Sequence, residues 1–508
     1  MMKKQTYPIW IILVLAIVTR SISATFYKTK VVILGAGASG ISAASTLHKK
    51  GQDDFIIVEG QSFIGGRVQH ATLGRSSVEL GANWIYGKGT NPIYKLATHH
   101  GLKTAPNDKR DVAFFDDQGP IRQRLGLPVY DAFDDLMEKT VMYAEERIAH
   151  NQVDLSSRAA LRILGWEPDT PLKAAVEYFA IEWELAEPAD VSSLEYATGT
   201  SDMTEGTFPF GNEFVVDHRG FNYILQQEAN QFLKPNDSRL LLDTIITRVQ
   251  YDDDGVVVHT ANGDRIHADY AICTFSLGVL QSNSVDWVPA FPDWKREALL
   301  SFHMTTYTKI FLRFEHKFWD DWQFALYAGN DTREYTVWQN LNAPGYLPYQ
   351  NQEDDNILMV TATYKTSERI ERLPDSQVAD EIMQVLQRMF PHKSLPRPTG
   401  IVVPRWHTNP LFRGSYSNWP IGMLVEHHEN MRAPLPIDNN DVHTSPRLWF
   451  AGEAMSPEYY GYLHGAWIEG QNIADKVLEC LSKACPTYRF HKRVRACNPT
   501  PRFRFQAH

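Results

Sequence analysis

At 508 residues the chain is too long for one hydrophobic core and calls for two or three. Its 43% hydrophobic and 12% aromatic content describes a globular protein and excludes a disordered one. A formal charge of −10 argues against nucleic acid as a partner and suits a cationic ligand, although modest acidity is common in soluble proteins.

The first segment, residues 1–24, reads as a targeting peptide. Lys3 and Lys4 form a basic start, Ile9 to Val18 is a short apolar run, and Ser21 to Ala24 supplies small residues for cleavage. The run is too short to span a bilayer, and no later stretch is longer and as apolar. A retained anchor is the alternative. The expectation is a secreted chain without stable membrane insertion, destined for the extracellular space, with vacuole or cell wall as further destinations. In such a compartment Asn236-Asp237-Ser238 and Asn330-Asp331-Thr332 become glycosylation acceptors. Cys480 and Cys485 are spaced for a local disulfide, which spacing alone does not fix. Cys273 reads as a small core residue. No Cys/His pattern has zinc spacing, and no metal is expected.

Val31 to Leu34 is an apolar run that reads as a buried parallel strand. Gly35, Gly37 and Gly40 follow in the pattern G-x-G-x-x-G, and Ile41 to Lys50 carries helical spacing. The first glycine permits a tight turn, the second lets a pyrophosphate approach the backbone, and the third lets helix and strand pack closely. The helix N-terminus then favours phosphate. A second apolar run, Phe55 to Val58, ends at Glu59, where a carboxylate can accept from a ribose hydroxyl. Strand, glycine turn, helix, strand and acid together predict an α/β dinucleotide-binding domain.

From Leu102 to about Gly220 the pattern turns helical, with amphipathic helices over Asp131–His150 and Pro171–Ala186. Beyond Phe221 strands return: Leu240–Tyr251, Gly255–Thr260, Arg265–Ala268 after an Asn262-Gly263 hairpin turn, and a new strand from Asp269 to Cys273. Thr305–Phe314 and Asn356–Tyr364 alternate as long strands. Asp375–Phe390 reads as a helix with Asp375 as its N-cap and Pro391 after its end. The tail from about Pro486 is basic and reads as a solvated or processed extension.

Several segments beyond the glycine turn carry a resemblance. Gly65-Gly66-Arg67, Val78 to Trp84, and Phe450 to Glu453 followed by Tyr459 to Ala466 resemble the motifs of the flavin-dependent amine oxidases. The chain is most similar to the secreted plant-type polyamine oxidases of that family, from about Lys30 to Cys485. The resemblance implies a two-domain α/β fold: a Rossmann-like FAD domain in three pieces (29–101, 220–304 and 437–485) and an α+β substrate domain in two (102–219 and 305–436). Residues 486–508 would form the basic tail.

It also implies an enzyme that oxidises a spermidine- or spermine-type amine with O2, giving an aminoaldehyde, an amine and hydrogen peroxide. A monoamine or L-amino-acid oxidase on the same fold is the alternative, and a non-catalytic flavin-binding module the alternative of another class. FAD would contact Gly35, Ala36, Gly37, Gly40 and Glu59, then Gly66 and Arg67. Gly81, Ala82, Asn83 and Trp84 would run along it, with Val249, Trp406 and Glu453 completing the site. The corresponding region, Pro457–Ala466, has no cysteine to bind flavin covalently. The oligomeric state is open, with a monomer favoured.

Lys309 matches the family's active-site lysine, placed beside the reactive flavin nitrogen. In an alternating strand it shares a face with Tyr307 and Phe311. Glu184 matches an acid that attracts the polycation along a tunnel. Tyr416 and Tyr462 match the aromatics that sandwich the substrate, with Gly461 and Tyr307 beside them. One departure stands out: plant-type relatives carry a second tunnel acid where this chain has Tyr86. That weakens long-range attraction for a fully charged polyamine.

Overall fold

A computed structural model of the chain describes residues 24–198, 208, 211–330, 334–347, 355–437, 445–482 and 485–492. Residues 1–23 of the expected targeting segment, Asp331 and Thr332 of the second expected acceptor triplet, Cys497 and the tail from 493 lie outside them.

The core of the nucleotide half is an eight-stranded sheet. β1 (Phe26–Leu34) lies between β2 (Phe55–Val58) and the strand Arg265–Cys273, parallel to both. Leu448–Phe450 joins the far side of Arg265–Cys273, again parallel. These strands read as nearly unbroken apolar runs because helices cover both faces. α1 (Ala38–Lys49) packs on one face, with Ile41, Ala44 and Leu47 buried, and the long C-terminal helix Leu463–Leu481 packs against it. The two helices approach closely: Ser42 donates to the carbonyl of Trp467, and a Cβ on Gly470 would sit 2.2 Å from the Ser39 carbonyl oxygen.

The second layer is a seven-stranded sheet in the order Gly400–Val402, Tyr307–Phe314, Asn356–Thr363, Val337–Asn340, Phe324–Tyr327, Val112–Asp116 and Gly119–Ile121. Its strands come from two stretches separated by nearly 200 residues, as the alternation of α/β and helical patterns implies. The period-two pattern of Tyr307–Phe314 divides its side chains. Ile310, Leu312 and Phe314 face the helix Asp375–Met389, where Val378, Ile382 and Leu386 complete their core. Phe311 faces a different cluster with Ile357 and Met359.

Several expected elements differ in detail. Leu240–Tyr251 is two strands, Leu240–Leu241 and Ile246–Tyr251, because Asp243 adopts a left-handed conformation (φ 48°). The bend lets Asp243 and Thr244 donate to the carbonyls of Gln61 and Glu59. Arg265–Cys273 is one strand, not two: Asp269 merely occupies an exposed position in a ladder that runs from Phe26↔Arg265 to Leu34↔Cys273. The first substrate-domain helix begins at Gln123 and accommodates Pro128 in its second turn. Pro374, not Asp375, is the N-cap residue of Asp375–Met389, so the Asp375 carboxylate instead complements the positive end of the helix dipole from the first turn and pairs with Arg405. Cys480 and Cys485 are joined as a disulfide, and Cys273 is free and buried.

Candidate active site

Four parallel strands end along one edge of the eight-stranded sheet, at Leu34, Val58, Cys273 and Phe450. The residues just past those ends, Gly35, Glu59, Thr274 and Gly452, all line one cavity of about 760 Å³. Ligands of open α/β sheets bind outside the carboxyl ends of the strands, and this cavity has that location. It continues past the sheet to the aromatic residues of the second layer.

At the sheet end, Gly35 has φ +108°, and a Cβ on Gly40 would meet the Gly35 carbonyl oxygen at 2.0 Å. The turn therefore tolerates no side chain at Gly40, and α1 starts directly over the strand end. Gly37, Ala38 and Ser39 line the cavity in the first turn of α1. The buried hydroxyl of Ser39 has no hydrogen-bond partner among the described residues. An orphaned donor beside free helix N–H groups fits a pyrophosphate. Ser39 was not singled out in the sequence, although its place between Gly37 and Gly40 is a signal. Glu59 accepts from the Ala36 N–H (2.7 Å) and the Gln61 N–H (2.9 Å), and burial raises its pKa. Its remaining lone pairs can take ribose hydroxyls.

Along the middle, Gly65 and Gly66 hold a turn that meets Gly37. Arg67 donates to Glu453 (2.7 Å) and to the Ser415 carbonyl. Glu453 accepts from the Gly461 N–H and from Ser417. One half-buried ion pair thus ties the Gly65–Arg67 turn to both the Ser415–Ser417 segment and the C-terminal motif. Gly81, Ala82, Asn83 and Trp84 follow along the wall. Trp406 lines it as well and donates to the Leu80 carbonyl. The Trp406 loop is held by Glu371, whose carboxylate accepts from the N–H groups of His407 and Thr408. Val249 is not at the cavity. It is fully buried between neighbouring strands, and Thr244, Ile245 and Ile246 form the wall instead. The bend at Asp243 is the reason: it presents the start of that strand, not its middle.

Lys309 is 3% exposed and lines the cavity. Its Nζ donates to the Gly81 carbonyl (2.6 Å) and lies 4.8 Å from the centre of the Trp84 ring. Burial lowers its pKa to about 7, and the charge of Glu79 opposes that shift. Glu79 itself is driven up to about 8 by burial, countered by the Phe221 N–H it accepts from and by Lys309. The sequence marks Glu79 only as part of the Val78–Trp84 motif, and its burial and its electrostatic interaction with Lys309 come from the fold.

Past Lys309 the walls are aromatic. Tyr307, Tyr416, Tyr462 and Tyr86 line the cavity, with the Tyr86 and Tyr462 rings edge to face at 4.9 Å and Tyr307 against Tyr416 at 5.7 Å. Burial raises the phenol pKa of Tyr86, Tyr307 and Tyr416, so all three stay neutral. Glu184 closes this end. The Tyr416 hydroxyl donates to its carbonyl (2.8 Å), and the Tyr462 hydroxyl is 3.4 Å from its Oε1. The helix expected over Pro171–Ala186 explains its aim. Pro171–Glu177 is α-helical, Tyr178–Glu182 forms a π turn, and Trp183–Leu185 resumes before Ala186 ends the run at φ 61°. The wider turn rotates the residues after it. Glu182 thus accepts from Thr363 inside the domain, while Glu184 faces the cavity.

The chain matches the flavin containing amine oxidoreductase family over residues 38–478. It belongs to that family. Among curated relatives, polyamine oxidase 1 of Zea mays is 33% identical over 94% of this chain and 96% of its own length. Polyamine oxidase 6 of Oryza sativa subsp. japonica is 34% identical over 96% and 99%. A solved structure of putrescine oxidase bound to putrescine superposes with a TM-score of 0.69 over 89% of this chain and 99% of that one, at 17% identity, which speaks for the fold. The enzyme is an FAD-dependent amine oxidase of two-domain fold. Its cofactor is held without a covalent link, in keeping with a cavity whose described lining residues include no cysteine.

Proposed function

We propose that the chain is a polyamine oxidase: amine, O2 and water yield an aldehyde, a smaller amine and hydrogen peroxide. The observation that carries this reading is a carboxylate, Glu184, set at the end of an aromatic channel whose other end holds Lys309. Neutral tyrosine faces attract an ammonium and exclude water, and the acid balances its charge. FAD, when bound, takes a hydride equivalent from the carbon beside the amine and passes the electrons to oxygen. The protein's part is to align that carbon, to keep the reacting amine neutral, and to hold a proton at Lys309 Nζ or release it near neutral pH.

An amino-acid oxidase needs a cation for the substrate carboxylate. Among the described lining residues the arginine is Arg67, and Glu453 and the Ser415 carbonyl already hold it. The polyamine reading is therefore preferred. Secretion is part of the proposal, resting on the basic start and short apolar run of residues 1–24 and on the exposed Asn236 and Asn330 of the two acceptor triplets. A peroxide-release assay across spermidine, spermine, their monoacetylated forms, a monoamine and L-amino acids tests the activity. Turnover of the polyamines alone is expected. Turnover only of the monoamine or the amino acids would overturn it, and no turnover with FAD bound would leave a binding module.

A further inference from the structure

The Glu184 carboxylate already has a counter-charge. Its Oε2 lies 3.5 Å from Nζ of Lys109, which reaches it from outside the cavity wall. The acid side chain is 11% exposed and the lysine 40%, so the acid sits inside and the lysine stem runs in from the surface. Lys109 Nζ also lies 5.4 Å from the Trp183 ring centre. Oε2 nevertheless accepts no hydrogen bond from the described residues. The carboxylate is therefore compensated in charge while one oxygen keeps its acceptor capacity.

Lys109 is held in this position by its loop. Residues 107–111 join the strands Thr104–Pro106 and Val112–Asp116. Asn107 donates to the Tyr346 hydroxyl, the Asp108 N–H to Gln323, and the Lys109 carbonyl accepts from Tyr130. Arg110 turns the other way and pairs with Asp131 and Asp134 on the neighbouring helix. Two adjacent cations thus divide their partners, Arg110 outward and Lys109 inward.

We propose that Lys109 is a specificity-determining residue: its ammonium competes with the distal ammonium of a substrate for Glu184. The proposal rests on the polyamine reading above. A second ammonium brought to Glu184 meets Lys109 at short range and must displace it or bear the repulsion. A neutral amide at the same place meets no such charge, and its N–H can donate to the open Oε2. The channel therefore favours a polyamine whose distal nitrogen is acylated over the same polyamine fully protonated.

The test compares kcat and KM of the holoenzyme for spermine and monoacetylated spermine at low and high salt, in Lys109→Met, Lys109→Arg, Glu184→Gln and Glu184→Gln/Lys109→Met. FAD content and melting temperature verify each fold. Lys109→Met should lower KM for spermine about tenfold at low salt, with less effect at high salt, and leave kcat and the acetylated amine nearly unchanged. Lys109→Arg, which keeps the cation, should retain the wild-type preference. In the Glu184→Gln background the Lys109→Met effect should vanish. A spermine-to-acetylspermine ratio unmoved by Lys109→Met, or both amines shifted alike, overturns this inference while the polyamine reading stands. A wild-type enzyme that turns over neither amine overturns the polyamine reading, and this inference with it.

Discussion

Lys309 Nζ donates to the carbonyl oxygen of Gly81 at 2.6 Å, joining two residues 228 positions apart. The bond crosses from the strand Tyr307–Phe314 of one sheet to the segment that runs along the cavity wall. A Cβ on Gly81 would meet the Arg67 carbonyl oxygen at 1.7 Å, so this close approach requires glycine. Among the described residues Lys309 is therefore held by backbone, not by a carboxylate, and burial lowers its pKa to about 7.

Lys309→Met keeps the volume and removes the proton. Flavin reduction by amine, reoxidation by O2, or both should slow by about 10²-fold or more, the scale of a lost general acid–base group, with FAD retained. Because burial lowers the lysine to about 7, the wild-type rate should rise with pH through that value as the free amine forms. The variant should lack this limb but keep the one set by the substrate amine at higher pH. Stopped-flow traces identical to wild type in both half-reactions would remove Lys309 from the active site.

Glu59 and Ser39 address the cofactor end. Glu59→Ala removes the acceptor for ribose, and Ser39→Ala removes a hydroxyl that has no partner among the described residues. Each should weaken FAD binding by roughly tenfold, the size of one hydrogen bond to a buried partner. Flavin fluorescence during dilution of the holoenzyme reads this directly. Acid or heat should release all the flavin to the supernatant. Flavin that stays with the precipitate contradicts non-covalent attachment.

Glu79 makes a prediction about stability. Burial raises its pKa from 4.5 to about 8, so the folded state holds a proton that the unfolded state has released. That contribution is full below pH 4.5 and is lost as pH rises through 8. Lys309 works in the opposite direction, but only between about 7 and 10.5, so pH 4.5 to 7 isolates Glu79. Glu79→Gln can still accept from the Phe221 N–H and cannot ionise. Between pH 5 and 7 the melting temperature of the apoprotein variant should gain several degrees on wild type. Parallel melting curves across that interval would mean Glu79 is solvated or paired in solution.

The sequence made the nucleotide end legible because its constraints are local. A strand end, a glycine turn and an acid at the next strand end lie within 30 residues, and their spacing alone implies the crevice. Lys309 was legible through the resemblance of its segment to the family's lysine motif, and alternation with Tyr307 and Phe311 on one strand supported it. What the sequence concealed depends on geometry between distant segments. Nothing local marks the π turn that aims Glu184, since Tyr178–Glu182 fits an ordinary helix by composition. The apolar run Leu240–Tyr251 hides the left-handed bend at Asp243 that moves Val249 off the wall. Lys109 sits in a polar loop that reads as surface, and only the fold brings it to Glu184.

Tyr86 gives the last prediction. Its ring lines the cavity beside Tyr462, and its backbone carbonyl is fixed by the Asn91 side chain. A glutamate here would stand near Glu184, whose charge already acts on the Tyr86 phenol. The two acids would repel each other in the free enzyme, and a polycation would relieve that repulsion on binding. A second carboxylate at roughly 4–6 Å from an ammonium in a partly wet channel is worth on the order of 1 kcal/mol, about tenfold in binding. Tyr86→Glu should therefore lower KM for spermine more than for its monoacetylated form, and the gap should narrow as salt rises. The maximal rate should change little, since the contact is made before and during hydride transfer alike. Lys109 gives the effect a second signature. In Tyr86→Glu the lysine must serve two acids, so the additional gain from Lys109→Met should be smaller than in the wild-type background. A spermine KM unmoved at low salt in Tyr86→Glu, with Glu184→Gln equally silent, would show that no cationic nitrogen of the substrate reaches this end of the channel.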